Sequence, residues 1–404
     1  MKRGASFARQ RYFRILALIP AVLGVFAGMA PTVYGAPGNA CGPQPSDFND
    51  IRTIADWIGA LQYANSSQSS YGAIKIHHTV AFINQQGAQY YRVVPYNANV
   101  AVAALLGAPV QGKLAVAEKW IRWYLAHLNA GTAPGIVLDH WYLSDGSGET
   151  TCPPGIDPYW CNHADSFPSY AATFLGAAWA YYGAGGNVGF LNAAGNKQLF
   201  ETVAGAILNL QQTDGLVTEN NSQVRYLMDN SEVYWGLMSM ANLEARVFND
   251  PAASQTYSLA ASRVRDAISK TLFNSTTSLY RVAKLGDASF WEADLNVWYP
   301  GTVDIAWPHL FGVTDGGSRI AQTQMKALDR SWDGQPNPDW TRNIVDPNHF
   351  LWPSIGYAAL LTGDCSRART QANFIKAVKF PTFPWPFSVD EGGWLLSTLS
   401  RLSQ

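Results

Sequence analysis

FPSYAATFLGAAWAYY, residues 167–182, decides how this chain folds. It is apolar or neutral on every side, and a helix without a polar face has to be covered all round. Its alanines and Gly176 leave room for neighbouring helices to come close. The segment before it, 113–128, has the opposite texture. Leu114, Ala117, Trp120, Ile121, Tyr124 and Leu125 recur at helical spacing, with Lys113, Glu118, Lys119 and Arg122 on the other side. That is a surface helix with one buried stripe.

The two textures alternate along the rest of the chain. Amphipathic segments fall at 47–63, 113–128, 197–212, 251–272, 318–331 and 364–379. Apolar ones fall at 95–107, 166–182, 230–248, 301–312, 347–363 and 388–402. Short Gly-containing links such as GAPVQGK and FGVTDGGS lead out of the apolar helices, with Gly acting as a helix stop. The return connections are long, and stretches of that length without structure are uncommon unless functional. Strand-like alternation at 74–83 and 279–298 predicts short hairpins on them. Repetition on this scale fixes an architecture. Six buried helices form an inner ring, six amphipathic helices form an outer ring, and all long loops share one face.

The first 36 residues read as a secretory signal, with Lys2, Arg3, Arg9, Arg11 and Arg14 ahead of an apolar run. Residues 37–404 then form a single domain, secreted or periplasmic, with no stable membrane insertion and working as a monomer. Loss of the leader takes the basic total from 28 to 23 against 29 acids, a net charge of −6. No basic face is offered to nucleic acid. Four cysteines in an exported chain suggest two disulfides. Spacing favours Cys152–Cys161, which leaves Cys41–Cys365 to staple the first outer helix to the sixth. No zinc spacing or phosphate loop is present, so neither metal nor cofactor is expected.

The helix alternation, with the strings DSFPSYAATFLGAAWAYY, DNSEVYWGL and FPWPFSVDEGGWLL, resembles the six-hairpin glycosidase superfamily over about residues 44–404. The resemblance implies an all-α fold, the (α/α)6 toroid of six helical hairpins, and a pocket at the centre of the long-loop face. It transfers no individual catalytic position; inversion is expected because relatives of this architecture often invert and the candidate carboxylates are spread around a wide ring.

Carboxylates mark the level of that pocket. Asp165 precedes the second inner helix, Asp229 and Glu232 open the third, Asp304 lies in the fourth, and Asp390 and Glu391 open the sixth. Glycoside hydrolysis needs two carboxyl groups across the scissile bond, and the catalytic candidates are Asp165, Glu232, Asp304 and Glu391. Each has a structural rival: Asp165 as a helix N-cap, Asp229-Asn-Ser-Glu232 as a capping box, Asp390 and Glu391 as favourable charges at a helix start. The candidate substrate-binding residues are Tyr96, Asp139, Trp141, Asp229, Trp291, Trp298, His349, Trp385 and Asp390. The long loops carry 16 acids and 7 bases, a face that repels uronates. The expected partner is therefore a neutral oligo- or polysaccharide. A polysaccharide lyase and a non-catalytic glycan-binding protein are the alternatives.

Overall fold

The computed structural model describes residues 42–131, 133–220, 222–286 and 288–404. The expected leader and Cys41 lie outside them. The helices, in chain order, are α1 (Asp47–Ala60), α2 (Pro95–Gly107), α3 (Lys113–Ala126), α4 (Phe167–Gly183), the single turn α5 (Val188–Leu191), α6 (Asn196–Leu210), α7 (Leu227–Arg246), α8 (Pro251–Ala267), α9 (Trp307–Leu310), α10 (Arg319–Ser331), α11 (Pro353–Leu361), α12 (Cys365–Lys379) and α13 (Val389–Leu402). Each of the twelve expected segments contains a helix. None of them is long and apolar enough to cross a membrane.

The apolar helices touch one another in the closed order α13, α2, α4, α7, α9, α11 and back to α13. The amphipathic helices pack outside: α1 on α13, α3 on α2, α6 on α4, α8 on α7 and α12 on α11. This is the (α/α)6 toroid. Small residues set the inner spacing. A Cβ on Gly236 of α7 would lie 2.4 Å from the Ala172 backbone of α4, and one on Gly393 of α13 would lie 2.8 Å from that of Ala101 in α2.

Between the rings the core is aromatic, and an amide buried inside it is paired. Tyr124 of α3 stacks on Phe174 of α4 with centroids 3.7 Å apart. Asn99, fully buried in α2, accepts from Trp120 Nε1 at 2.9 Å and donates to the Tyr170 carbonyl at 3.2 Å, joining α2, α3 and α4. A buried amide with its bonds made specifies one register.

The ring closes where α1 meets α12. Arg369 donates to both oxygens of the fully buried Asp47, and Lys376 reaches Asp50 at 2.8 Å. Cys365, at the start of α12, is disulfide-bonded; its expected partner Cys41 is outside the described residues. Cys152 and Cys161 form the expected loop disulfide.

Two inner helices depart from their expected form. The segment 301–312 is broken into a π turn (Trp298–Thr302), a 3-10 turn (Asp304–Ala306) and the short α9. Pro300 and Pro308 remove amide donors that a continuous helix would use. The fifth starts at Pro353, six residues later than 347, because Trp352 adopts a left-handed conformation (φ 50°).

The strands are β1 (Phe82–Ile83), β2 (Gln89–Val93), β3 (His140–Leu143), β4 (Val224–Tyr226), β5 (Phe273–Asn274), β6 (Leu279–Tyr280), β7 (Ala283–Leu285) and β8 (Ser289–Trp291). They form antiparallel sheets β1-β2-β3, β4-β7-β8 and β5-β6. The expected strand at 74–83 survives only at its end, since His77 turns inward to hydrogen-bond the Phe383 carbonyl at 2.6 Å. The alternation at 279–298 becomes three short strands and then the π turn.

Candidate active site

The long loops surround a central pit of about 570 Å³. Three of the outer helices, α8, α10 and α12, carry a side-chain N-cap from Asp250, Ser318 and Asp364. No inner helix is capped by the side chain of its own N-cap residue.

Three acids cluster at the floor. Glu232, 2% exposed, accepts from the Tyr96 hydroxyl at 2.7 Å and from Trp307 Nε1 at 2.9 Å. Asp229, in the first turn of the same helix, accepts from Ser169 Oγ at 3.2 Å through one oxygen, while its Oδ2 has no partner among the described residues. Asp304 is 1% exposed, and its Oδ1 is likewise unpartnered. Burial, and then the charges of neighbouring acids, pushes Asp229 and Asp304 well above the usual carboxylate range. Burial also raises Glu232, against the pull of its hydrogen bonds. Among the described residues no cation offsets this group. The capping-box reading of Asp229 does not hold: α7 begins at Leu227, and the Asp229 side chain reaches across to α4.

On the wall, Glu391 is 5% exposed. Its Oε1 accepts two backbone amides, from Leu351 at 2.6 Å and Trp352 at 3.0 Å, and its buried Oε2 has no partner among the described residues. Burial, then the adjacent Asp390, raises its pKa to about 8, with the two amides opposing. The peptide that supplies them is gripped from two other directions. Gln371 of α12 donates to the carbonyls of Leu351 and Trp352 at 3.2 Å, and Asp346 accepts from Trp352 Nε1 at 2.6 Å. A bulky residue at φ 50° is costly unless its surroundings hold it; these three contacts do so. Asp390, next in chain, accepts from Asn97 and from Ser388.

Asp165 sits at the mouth, open to solvent on the pit side. Protein around it raises its pKa, opposed by the nearby His163 and Arg92. It is not the cap of α4. The Phe167 amide there donates instead to Asn220 Oδ1 at 2.7 Å.

Of the expected substrate-binding residues, Tyr96, Asp229, Trp385 and Asp390 line the pit together with Asp165, Glu232 and Glu391. Asp304 lies against the floor acids without reaching the lining. The remaining five are placed elsewhere. Asp139 is fully buried behind the wall, where it accepts from Arg92, from Tyr170 at 3.0 Å and from His163 at 3.2 Å. Trp141 is covered because β3 pairs with β2 there. Trp298 packs on Trp332 with centroids 5.1 Å apart. Trp291 is exposed on the edge strand β8, and His349 points out of a left-handed turn.

Sequence reasoning missed Arg92, Asn97, Tyr299, Trp307, Asp346 and Trp352, all of which line the pit. Tyr299 stacks on Trp352 at 4.8 Å, and the Arg92 guanidinium lies over Trp160 at 4.3 Å. Arg92, on β2, gave no helix-start signal. Trp307 reads in sequence as one more apolar helix residue, distinguishable only by the acid it meets in space.

The fold is shared with solved structures. A wild-type glycosidase superposes with a TM-score of 0.59 at 11% identity, covering 89% of this chain and 99% of its own. An alpha-amylase from Clostridium perfringens gives 0.56 at 10%, with 89% and 99% covered. A GH63 mannosylglycerate hydrolase from Thermus thermophilus, in complex with glucose, gives 0.55 at 11%, with 87% and 100% covered. At this level of identity the likeness is one of fold, the ring of helical hairpins. No protein-family profile matches the chain, and no curated protein matches it in sequence.

Proposed function

We propose that this protein is an exported glycoside hydrolase that cleaves a neutral oligo- or polysaccharide in the central pit. The observation that carries the reading is Glu391: buried in the pit wall, one oxygen fixed by two amides, the other unpartnered and its pKa raised to about 8. Such a group is protonated at neutral pH, with its donor oxygen unengaged. Glu391 gives its proton to the glycosidic oxygen as the bond from that oxygen to the anomeric carbon breaks. Asp165 takes a proton from a water whose oxygen bonds to that carbon. Water is thereby added across the bond, and the configuration inverts. In the inner ring α2 stands between α13, which bears Glu391, and α4, which follows Asp165. Asp165 and Glu391 thus line the pit from separate positions on the ring.

Neutral substrate fits the charges. Arg92 is the arginine among the lining residues, and it is tied to buried Asp139. Among the described residues that line the pit there is no further Arg or Lys to receive a uronate, as a lyase would need. The glucose-bound mannosylglycerate hydrolase makes glucosides sensible first probes. The expected leader, together with the Cys152–Cys161 disulfide, supports a secreted or periplasmic site of action.

The test is release of sugar from a panel of neutral gluco-, manno-, galacto- and xylo-oligosaccharides, with the anomer of the first product read by NMR. E391Q should lower kcat about 10²–10⁴-fold, the usual weight of a general acid, and D165N should do so comparably. Full activity in both variants would remove the assignment, and a first product of retained configuration would remove inversion.

A further inference from the structure

The pit has a floor and is lined from every inner hairpin. Every inner hairpin contributes to its wall: Tyr96 at the start of α2, Tyr170 in α4, Glu232 in α7, Trp307 in α9, Ser354 in α11 and Trp394 in α13. The helices that carry them touch in an unbroken circle, and the floor residues Glu232, Tyr170 and Trp307 are each no more than 2% exposed. A polysaccharide that crosses an enzyme needs two opposed openings at the level of the reacting acids. Loop residues line the pit ahead of α2 (Arg92), α4 (Trp160), α9 (Tyr299), α11 (Asn348) and α13 (Trp385), so among the described residues no two opposed positions are both left without a loop wall.

One side of the wall is built by the stretch that carries the Cys152–Cys161 disulfide. Its backbone is tied down at the Asn162 amide, which donates to the Thr151 carbonyl at 2.9 Å, and at the His163 carbonyl, which accepts from the Asp139 amide at 2.8 Å. Trp160 of this loop carries the Arg92 guanidinium on its ring. The loop ends at Asp165, so the wall and the proposed base belong to one tied-down segment.

Above the walls the mouth is aromatic. Tyr159, Tyr299 and Trp385 line it from three different loops, yet remain 64%, 47% and 53% exposed. These rings differ from other exposed apolar side chains in lining the cavity, and flat aromatic faces cover the apolar faces of sugars. The cavity volume falls within the ~300–1,000 Å³ usual for sites that enclose a small ligand.

We propose, on the reading given under Proposed function, that the pit accepts only the end of a sugar chain. The terminal unit enters to the level of Glu391, the bond above it is cut, and Tyr159, Tyr299 and Trp385 receive the rest of the chain at the mouth. The substrates are then short neutral oligosaccharides or polymer ends, and an unbroken polymer interior is excluded.

The experiment uses five-unit gluco-, manno-, galacto- and xylo-oligosaccharides, each with a free non-reducing end or with that end capped by a 4,6-O-benzylidene group (a 3,4-O-isopropylidene group for xylose). Cleavage products are followed from the first minutes, and binding to the E391Q chain is followed by tryptophan fluorescence. The expected result is release of the terminal sugar alone, with the capped form at least a hundredfold slower and at least a hundredfold weaker in binding. Early fragments of intermediate length, or equal cleavage of capped and free forms, would overturn chain-end action while leaving the hydrolase reading intact. Binding restricted to free ends with no turnover in the wild type would support the blind pit and sink the hydrolase reading. Failure of every free-ended probe to bind would overturn both.

Discussion

Asp47 and Asp304 are equally buried, at 0% and 1% exposed, and they have opposite fates. Asp47 stands on the outer ring where the toroid closes. Arg369 and the Gln44 amide satisfy it, and despite burial these hydrogen bonds hold its pKa below the usual value. Asp304 stands under the pit, with one oxygen unpartnered and other acids for company, and its pKa is driven up. Burial alone therefore does not say what an acid is for. At the seam the cost of removing a charge from water is offset by a partner, and the pair holds two ends of a chain together. At the floor the cost is left standing, which is the pattern expected where protonation state matters more than stability.

The comparison breaks most sharply at Glu391. Its Gln variant is expected to lose about 10²–10⁴ in kcat while its thermal stability at pH 8–9 rises. The sign follows from the folded pKa of about 8 against ~4.3 unfolded. A raised carboxyl contributes stability that is fully present below the unfolded value and is lost as pH rises through 8. A fall in melting temperature for E391Q at pH 9 would show that the charge is compensated after all. In the wild type the alkaline limb of kcat/KM should lie near pH 8, and a limb that stays flat to pH 10 would remove Glu391 as the acid.

The seam should show the reverse balance. R369M leaves Asp47 buried without its partner and is expected to cost about 3–5 kcal/mol, read by denaturant unfolding, with turnover of the remaining folded protein unchanged. Because the Asp47 pKa is lowered, its contribution is present above the unfolded value and is lost as pH falls through the folded one. The R369M deficit should therefore shrink in acid. A deficit that grows in acid would contradict the assignment.

A smaller effect is expected at the floor. D304N removes a buried acid that lacks a cation and should raise the melting temperature at pH 8 by about 1–2 °C, an advantage that fades toward pH 4. A destabilised D304N would mean that the floor acids are held by a partner the geometry does not reveal.

The smallest expected effect tests the grip on Trp352. Asp346 touches no position assigned to chemistry, but it holds the indole of the residue whose amide faces Glu391. D346N should shift the alkaline limb by less than one pH unit with KM nearly constant, and D346E should restore part of it. A purely structural role would lower the melting temperature and leave the limb in place.

Much of this architecture was legible in the chain. Uniformly apolar helices such as 167–182 must be covered on all sides, and striped ones such as 113–128 on one, so two concentric rings follow from burial alone. The carboxylates of the pit were also legible, because charge is conspicuous in helices that otherwise carry little. What sequence obscured was direction. Trp141, Trp298 and Asp139 have the composition of a sugar site, yet β-sheet pairing and loop packing turned them away from the cavity. Arg92, Trp307 and Trp352 look ordinary in sequence and face it.

Periodicity and composition depend on which residues are neighbours along the chain, and they determined the helices, their burial and the face that bears the loops. The state of each acid depends on which groups lie within a few ångströms, and those come from residues far apart, such as Glu391 with Leu351 or Asp47 with Arg369. Whether an acid is paired or left alone, and whether the pit is blind or open, was decided only when the ring closed.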